Sequence, residues 1–203
     1  FQMIKRELYL EKIRRLINTE PIKIITGVRR SGKTYLLHSI KEELIERGIS
    51  KENIFLISFE SQKYNKIQNF MELDVCVNNL IKNTSGKIYL LFDEIQNIVS
   101  WEKSINSYRV DFDCDIYITG SNSEMLSGEL ATLIAGRYFH IDVYPFSFKE
   151  LIQYYDEMHE NIDEIKLFEQ YLSYGGFPGL LNYENEEKAV SYTHLRAHET
   201  DSY

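Results

Sequence analysis

The feature that most constrains the fold is the stretch GVRRSGKT at 27–34, which directly follows the apolar run IKIIT at 22–26. It has the pattern G-x-x-x-x-G-K-[ST], in which glycines let successive backbone N–H groups turn inward toward phosphate oxygens. In this pattern Lys33 reaches the outer phosphates, and the hydroxyl of Thr34 ligates Mg²⁺. The stretch therefore predicts a phosphate-binding loop between a strand and a helix.

The residues after the loop are typical of a helix. Apolar residues recur at helical spacing from 35 to 47, and Gly48 has the position of a C-terminal cap. A helix that begins near Lys33 points its positive end at a bound anion. The predicted binding residues are Gly27, Val28, Arg29, Arg30, Ser31, Gly32, Lys33, Thr34 and Tyr35. For Arg29 and Arg30, contact with phosphate and exposure to solvent are equally favoured.

A second apolar run, IYLLFDE at 88–94, ends in two acids. Its composition is typical of a strand that is buried on both faces of a parallel sheet. We predict that Asp93 holds Mg²⁺ through water and that Glu94 polarises the attacking water. The alternative is a strand followed by two solvated acids, which the phosphate loop upstream disfavours.

A third apolar run, CDIYITG at 114–120, ends in the polar residues SNS. Ser121 and Asn122 are candidates for contact with the terminal phosphate of a nucleotide. Ser and Asn also favour helix N-caps, and Glu124 lies three residues after Ser121, as in a capping box. The two interpretations are equally favoured, and both can hold.

Strands and helices alternate along the chain. Further strands are predicted over 53–60 and 138–144, and helices over 3–18, 67–82, 100–110 and 123–134. Ser147 and Glu150 have the spacing of a capping box before another helix, and a further helical element is predicted over 163–181. This order predicts an α/β fold with a parallel sheet between two helical layers, and a ligand at the carboxyl ends of the strands.

Arg137 lies in the stretch AGRYF, just before the fifth predicted strand. An arginine near a terminal phosphate stabilises the charge of the transition state, either in its own chain or on a neighbouring subunit. The alternative is a surface arginine in a loop, and spacing alone favours this alternative.

Composition bounds the class of protein. The chain has 203 residues with 43% hydrophobic content, enough for one domain and the start of a second. A net charge of −8 disfavours a dedicated nucleic-acid surface. The two cysteines lie in apolar stretches and indicate no disulfide framework. Because no membrane-length apolar run and no signal segment occur, we expect a cytoplasmic protein without a membrane partner.

Both ends of the chain differ from the rest. The stretch VSYTHLRAHET at 190–200 has no amphipathic period and resembles the translation of a transposon-end sequencing adapter. We therefore expect 190–203 to be a non-native tail outside the fold. Phe1 and Gln2 precede Met3, which we expect to be the natural start. We also expect the natural protein to continue past about residue 189.

Five segments occur in an order that resembles the prokaryotic AAA-type ATP-binding proteins related to the archaeal ATPase group. They are ITGVRRSGKT, LLFDEIQN, ITGSNSEMLSGEL, IAGRY and PFSFKEL. The resemblance covers about residues 4–185. It implies an ATPase domain over 3–155 and the start of a truncated helical region over 156–189. The implied fold is a P-loop sheet of order 5-1-4-3-2.

The resemblance also implies chemistry. It implies binding of ATP and Mg²⁺, with Glu94 as catalytic base, and it favours Ser121 or Asn122 as a sensor of the terminal phosphate and Arg137 as a site residue. The expected function is ATP hydrolysis coupled to a conformational change. The alternative is a nucleotide-dependent switch or scaffold with slow turnover. A homo-oligomer is possible. Members of this family usually carry a further C-terminal domain that this sequence lacks, and we expect a protein or nucleic-acid partner to bind through that domain.

Overall fold

The structure is a computed structural model that describes residues 5–121, 137–158 and 162–177. Contacts within the chain group it into two units. The first unit comprises the chain up to Gly27 together with Lys33–Asp142, and the second comprises Val28–Gly32 and the chain from Val143 onward. The predicted helix over 123–134, Asn122 and the tail over 190–203 lie outside the described residues.

The first unit is built on a parallel sheet. Its five strands are β1 (Ile22–Thr26), β2 (Ile54–Ser58), β3 (Ile88–Asp93), β4 (Cys114–Gly120) and β5 (Tyr138–Asp142). The order is β2-β3-β4-β1-β5, and every neighbouring pair is parallel. Read from the other edge, this is the predicted order 5-1-4-3-2. Every residue of β1 and of β3 is buried, which explains why these strands read as continuous apolar runs.

Four helices lie in the described part of the first unit: α1 (Glu7–Arg14), α2 (Lys33–Glu46), α3 (Phe70–Ile81) and α4 (Trp101–Asp111). Within the described residues, the helix predicted over 3–18 covers only Glu7–Arg14. The helix predicted from residue 67 begins at Phe70, because Asn69 caps it. The side-chain oxygen of Asn69 accepts from the backbone nitrogens of Met71, at 3.1 Å, and Glu72, at 3.2 Å.

The core lies on both faces of the sheet. Alternate strand residues such as Ile24, Leu90 and Ile118 pack with α3 and α4 in one buried cluster. In this cluster the Phe92 ring stacks between neighbours, with a centroid distance of 6.3 Å to Tyr108. The opposite face packs against α2, which in turn contacts α1. Helices on both faces leave the strand ends as the places where polar groups can gather.

A polar cluster fills the amino ends of β1 and β4. Lys23, which is fully buried, donates from Nζ to Asp115 Oδ1 at 2.5 Å and to the Thr19 carbonyl at 2.7 Å. The other carboxylate oxygen of Asp115 accepts from the Asn18 backbone nitrogen at 2.8 Å and from the Tyr117 hydroxyl at 2.9 Å. Burial lowers the pKa of Lys23 despite the attraction of Asp115. This cluster ties the connection before β1 to the sheet.

The second unit contains two described helices, α5 (Phe148–Glu157) and α6 (Glu164–Tyr174). The predicted capping box at α5 is present. The Ser147 backbone nitrogen donates to Glu150 Oε2 at 2.9 Å, and the Glu150 nitrogen donates to Ser147 Oγ at 3.3 Å. The two helices meet through aromatic rings, with the Phe148 and Phe168 centroids 5.0 Å apart.

Two backbone segments touch directly next to these helices. The Phe146 nitrogen donates to the Gly176 carbonyl at 2.6 Å. A Cβ atom on Gly176 would lie 1.8 Å from the Phe146 carbonyl oxygen. Glycine is therefore required for this close approach.

No helix among the described residues is both long enough and apolar enough to cross a membrane.

Candidate functional site

The candidate site lies at the carboxyl ends of β1, β3 and β4 in the first unit. Gly27 directly follows β1, and Lys33 begins α2. Asp93 ends β3, Glu94 follows it, and Ser121 follows β4. Because parallel strands end at the same edge of a sheet, residues far apart in the sequence meet there.

Lys33 lies at the centre of this edge and is only 3% exposed. Its Nζ donates to the Gly27 carbonyl oxygen at 2.9 Å and lies 3.4 Å from Glu94 Oε1. A buried ammonium group is costly unless it faces negative charge. Glu94 supplies that charge in this structure, and an anionic ligand at this edge can supply it instead.

Asp93 carries a carboxylate that accepts from three hydroxyl groups. Thr34 Oγ1 lies 3.0 Å from Oδ2, Ser58 Oγ lies 3.1 Å from Oδ2, and Thr119 Oγ1 lies 2.7 Å from Oδ1. The carboxylate oxygens and the Thr34 hydroxyl are hard oxygen ligands at one point, which fits the preference of Mg²⁺. Ser58 and Thr119 were not predicted. Ser58 ends β2 and Thr119 lies near the end of β4, and both strands are neighbours of β3, which carries Asp93.

Glu94 has an unusual backbone. Its φ is 54° and its ψ is 50°, in the left-handed region that non-glycine residues seldom occupy. The Glu94 backbone nitrogen donates to Thr119 Oγ1 at 3.0 Å, which holds this conformation. Strain of this kind is found most often at functional sites.

The Glu94 carboxylate is buried, and its contacts are polar: Oε2 accepts from the Ser121 hydroxyl and from the Gln96 side-chain nitrogen, while Oε1 faces Lys33. Burial raises the pKa of Glu94, but the hydrogen bond from Ser121, the Lys33 charge and the hydrogen bond from Gln96 outweigh it. The pKa of Glu94 therefore lies below its usual range. The group is ionised near neutral pH and can accept a proton.

The structure brings six of the predicted residues together: Gly27, Lys33, Thr34, Asp93, Glu94 and Ser121. Of the predicted loop residues, 28–32 fall in the second unit, and Tyr35 is exposed on α2. Their contacts with a nucleotide stay predictions. Ser121 donates to Glu94, while its predicted role as a helix cap depends on residues outside the described part of the chain, as does the role of Asn122.

Arg137 lies at the other end of the sheet. Its carbonyl oxygen accepts from the Ile22 nitrogen at 3.0 Å, next to the first residues of β1 and β5. A strand of five residues spans roughly 16 Å at about 3.3 Å per residue. Within one chain, therefore, Arg137 does not join Lys33 and Glu94, and a role on a neighbouring subunit stays a prediction.

Comparison with known families agrees with this geometry. Residues 19–152, more than half of the chain, match the family model described as AAA domain (AAA_14). The chain belongs to the AAA domain family. The matched range of this AAA domain contains all of the residues that meet at the candidate site.

Two curated relatives of the AAA domain have no described function. An uncharacterized protein of Haemophilus influenzae is 43% identical over 181 residues, which is 88% of this chain and 45% of the relative. The uncharacterized protein MJ1544 of Methanocaldococcus jannaschii is 31% identical over 189 residues, which is 86% of this chain and 40% of the relative. The chain thus spans less than half the length of the curated relatives it matches.

Solved structures share the fold of the AAA domain. AMPPCP-bound DnaA from Aquifex aeolicus matches with a TM-score of 0.55 and 16% identity, over 89% of this chain and 64% of that one. ORC1 of Aeropyrum pernix, in complex with DNA, matches with a TM-score of 0.55 and 9% identity, over 78% and 50%. Cdc6p of Pyrobaculum aerophilum matches with a TM-score of 0.53 and 11% identity, over 75% and 48%.

Proposed function

We propose that the chain binds ATP with Mg²⁺ and hydrolyses the bond between its β- and γ-phosphates. The observation that carries this proposal is the meeting of Lys33 and the ionised Glu94, 3.4 Å apart, beside Asp93 and its three hydroxyl partners. Lys33 suits phosphate, Glu94 accepts a proton, and Asp93 with its hydroxyl partners suits a metal ion. These are the three components that metal-assisted phosphoryl transfer to water requires.

Lys33 has the first role in this proposal. Its ammonium group leaves Glu94 and donates to oxygens of the β- and γ-phosphates, where it offsets the charge that develops on the leaving group. The same movement frees Glu94 Oε1 from its ion pair. Binding of the nucleotide and release of the base are therefore one event.

Glu94 acts as the general base. Its carboxylate takes a proton from water as the water oxygen attacks the γ-phosphorus. Ser121 donates to Oε2 and leaves Oε1 for this proton. The left-handed backbone conformation of Glu94 sets the direction of its Cα–Cβ bond, and therefore the direction in which the side chain leaves the backbone.

Thr34 and Asp93 would hold Mg²⁺, Thr34 through its hydroxyl and Asp93 directly or through water. When bound, the ion would neutralise charge on the β- and γ-phosphates. Ser58 and Thr119 orient the Asp93 carboxylate by donating to it, at 3.1 Å and 2.7 Å.

The nucleotide and the partner are proposed on different grounds. AMPPCP, an ATP analogue, is bound in the DnaA structure, which supports ATP as the nucleotide of this chain. ORC1 is in complex with DNA, and a nucleic acid or a protein is the proposed class of partner here. We propose that this partner binds through parts of the whole protein beyond this chain, and that Arg137 of a neighbouring copy completes the site.

The experiment is ATP turnover by the chain beside the variant Glu94→Gln. The amide cannot accept the proton, so we expect kcat to fall about 100- to 1,000-fold while ATP affinity stays within about twofold. Glu42→Gln, an exposed glutamate on α2, is the matched control and should behave like the unmodified chain. Equal turnover in Glu94→Gln and in the control would remove Glu94 as the base.

The ion pair between Lys33 and Glu94 favours a second candidate function. A pair that persists after ATP binds would keep Glu94 from accepting a proton, and the chain would then act as a switch that binds ATP and turns over slowly. A single-turnover measurement distinguishes the two functions. ATP that stays intact on the chain for many minutes indicates a switch, and prompt release of phosphate indicates an ATPase.

A further inference from the structure

We propose that Gln96 binds the attacking water together with Glu94, and so is a further catalytic residue; this inference rests on the hydrolysis proposed above. Gln96 lies in the short helical turn Ile95–Asn97 that directly follows Glu94. None of the sequence features that predicted Lys33, Asp93 or Glu94 pointed to it.

The orientation of the Gln96 amide is determined by its neighbour. Its nitrogen, Nε2, donates to Glu94 Oε2. A carboxylate only accepts hydrogen bonds, so the nitrogen and not the oxygen of the amide must face it. The amide oxygen, Oε1, consequently lies beside the Glu94 carboxylate without bonding to it and is left to accept from another donor.

The amide oxygen of Gln96 is the unusual atom. It is buried, and no group in the described part of the chain donates a hydrogen bond to it. Buried acceptors without a donor are rare in folded proteins, because losing contact with water is unfavourable. Here the acceptor belongs to a side chain whose other end holds the proposed base.

The attacking water has two hydrogens and needs two acceptors. Glu94 supplies one, and the buried oxygen of Gln96, which has no donor among the described residues, is available as the second. The Lys33 ammonium has no acceptor atom and cannot take this role. Held by Glu94 and Gln96, the water keeps a lone pair directed at the phosphorus.

The proposed step balances as follows. The water oxygen forms a bond to the γ-phosphorus, and the bond from that phosphorus to the bridging oxygen breaks, with its electron pair leaving on ADP. One water proton passes to Glu94. The other, which donates to Gln96 Oε1 during the attack, remains on the phosphate that is released.

The first test compares Gln96→Leu with Asn97→Ala. Leucine removes both polar atoms of the amide, whereas Asn97 is exposed on the same turn and serves as the matched control. We expect kcat of Gln96→Leu to fall about 10- to 100-fold, with KM and ATP affinity within about twofold of the unmodified chain. A kcat equal to that of the control overturns the inference.

A second variant, Gln96→Met, keeps the length of the side chain and loses both polar atoms of the amide. We expect kcat of Gln96→Met to match that of Gln96→Leu. Gln96→Met also replaces Gln96→Leu in the test if circular dichroism shows that the branched leucine impairs folding.

A binding measurement tests the water contact without turnover. ADP with beryllium fluoride mimics the state before attack, and ADP with aluminium fluoride mimics the state that includes the attacking water. We expect Gln96→Leu to weaken binding of the aluminium fluoride complex about tenfold and to leave the beryllium fluoride complex unchanged. Equal effects on the two complexes overturn the inference.

Failure of the proposed function looks different. An unmodified chain that binds ATP without any turnover overturns the proposed hydrolysis, and this inference with it. An active unmodified chain whose rate survives Gln96→Leu and Gln96→Met overturns this inference alone.

Discussion

Two buried lysines lie at opposite ends of the same sheet, and each faces a buried carboxylate. At the amino ends of the strands, Lys23 pairs with Asp115 at 2.5 Å. At the carboxyl ends, Lys33 lies 3.4 Å from Glu94. Both lysines are 3% exposed or less, so burial alone does not distinguish them.

The surroundings of the two pairs do distinguish them. Around Lys23 and Asp115, backbone and side-chain groups of Asn18, Thr19 and Tyr117 complete the hydrogen bonds. Around Glu94, the buried amide oxygen of Gln96 has no donor in the described residues. A buried charge whose partners all come from the chain serves structure, whereas one beside unused hydrogen-bonding capacity is suited to a ligand.

The largest expected effect on ATP binding is that of Lys33→Ala. Loss of a charged donor to the phosphates should weaken ATP binding by about 100-fold or more, since such hydrogen bonds contribute about 1.5–3 kcal/mol each. Titration with a fluorescent ATP analogue measures it. The exposed lysine of α1, Lys12, gives the control Lys12→Ala. Retained affinity in Lys33→Ala would mean that the nucleotide binds elsewhere.

Lys23→Met should lower stability and leave ATP binding intact, the converse of what we expect for Lys33→Ala. It leaves Asp115 buried without its partner, and breaking such a pair lowers the free energy of unfolding by about 3–5 kcal/mol. Urea unfolding measures this loss, while ATP affinity of the folded protein should stay unchanged. A Lys23→Met variant with normal stability would contradict the structural role of the pair.

The double variant Lys23→Met with Asp115→Leu sharpens the comparison. Because it removes the unpaired charge as well, its loss of unfolding free energy should be smaller, about 2 kcal/mol. Asn18 and Tyr117 still lose an acceptor, so full recovery is not expected. A double variant less stable than Lys23→Met alone would show that the acid is not the unfavourable group.

The smallest effect is expected for Thr119→Val, which keeps the shape of the side chain. Its hydroxyl links the two acids, donating to Asp93 and accepting from the Glu94 nitrogen. We expect a loss of about 1–2 kcal/mol of unfolding free energy and a several-fold lower kcat. Ser107→Ala, at an exposed position on α4, is the control. Unchanged kcat would mean that Thr119 does not hold Glu94 in place.

The fold was largely predictable from the sequence. Continuous apolar runs such as IYLLF indicate strands buried on both faces, and their alternation with helices indicates a parallel sheet. The sheet also explains why Gly27 and Asp93 lie at the same edge. Gly27 follows β1 and Asp93 ends β3, and parallel strands end at the same edge of a sheet. The sequence favoured Arg137 as a site residue, whereas the structure places it directly before β5, at the amino end of that strand.

The side-chain network was not predictable in the same way. Lys23 stands in an apolar run, and its partner Asp115 is 92 residues away, so the pair depends on strand order and register. Gln96 and Thr119 lie within segments that carry the family resemblance, but the sequence assigned no role to either residue. Their roles depend on hydrogen bonds that only the packed strand ends create.

The close approach of Phe146 and Gly176 limits what mutation can do to this chain. Since any side chain at 176 would begin 1.8 Å from the Phe146 carbonyl oxygen, the position tolerates a single amino acid. Every missense change in that codon meets the same backbone atom, whatever its chemistry. A library randomised at this codon and selected for folded protein should therefore return glycine alone.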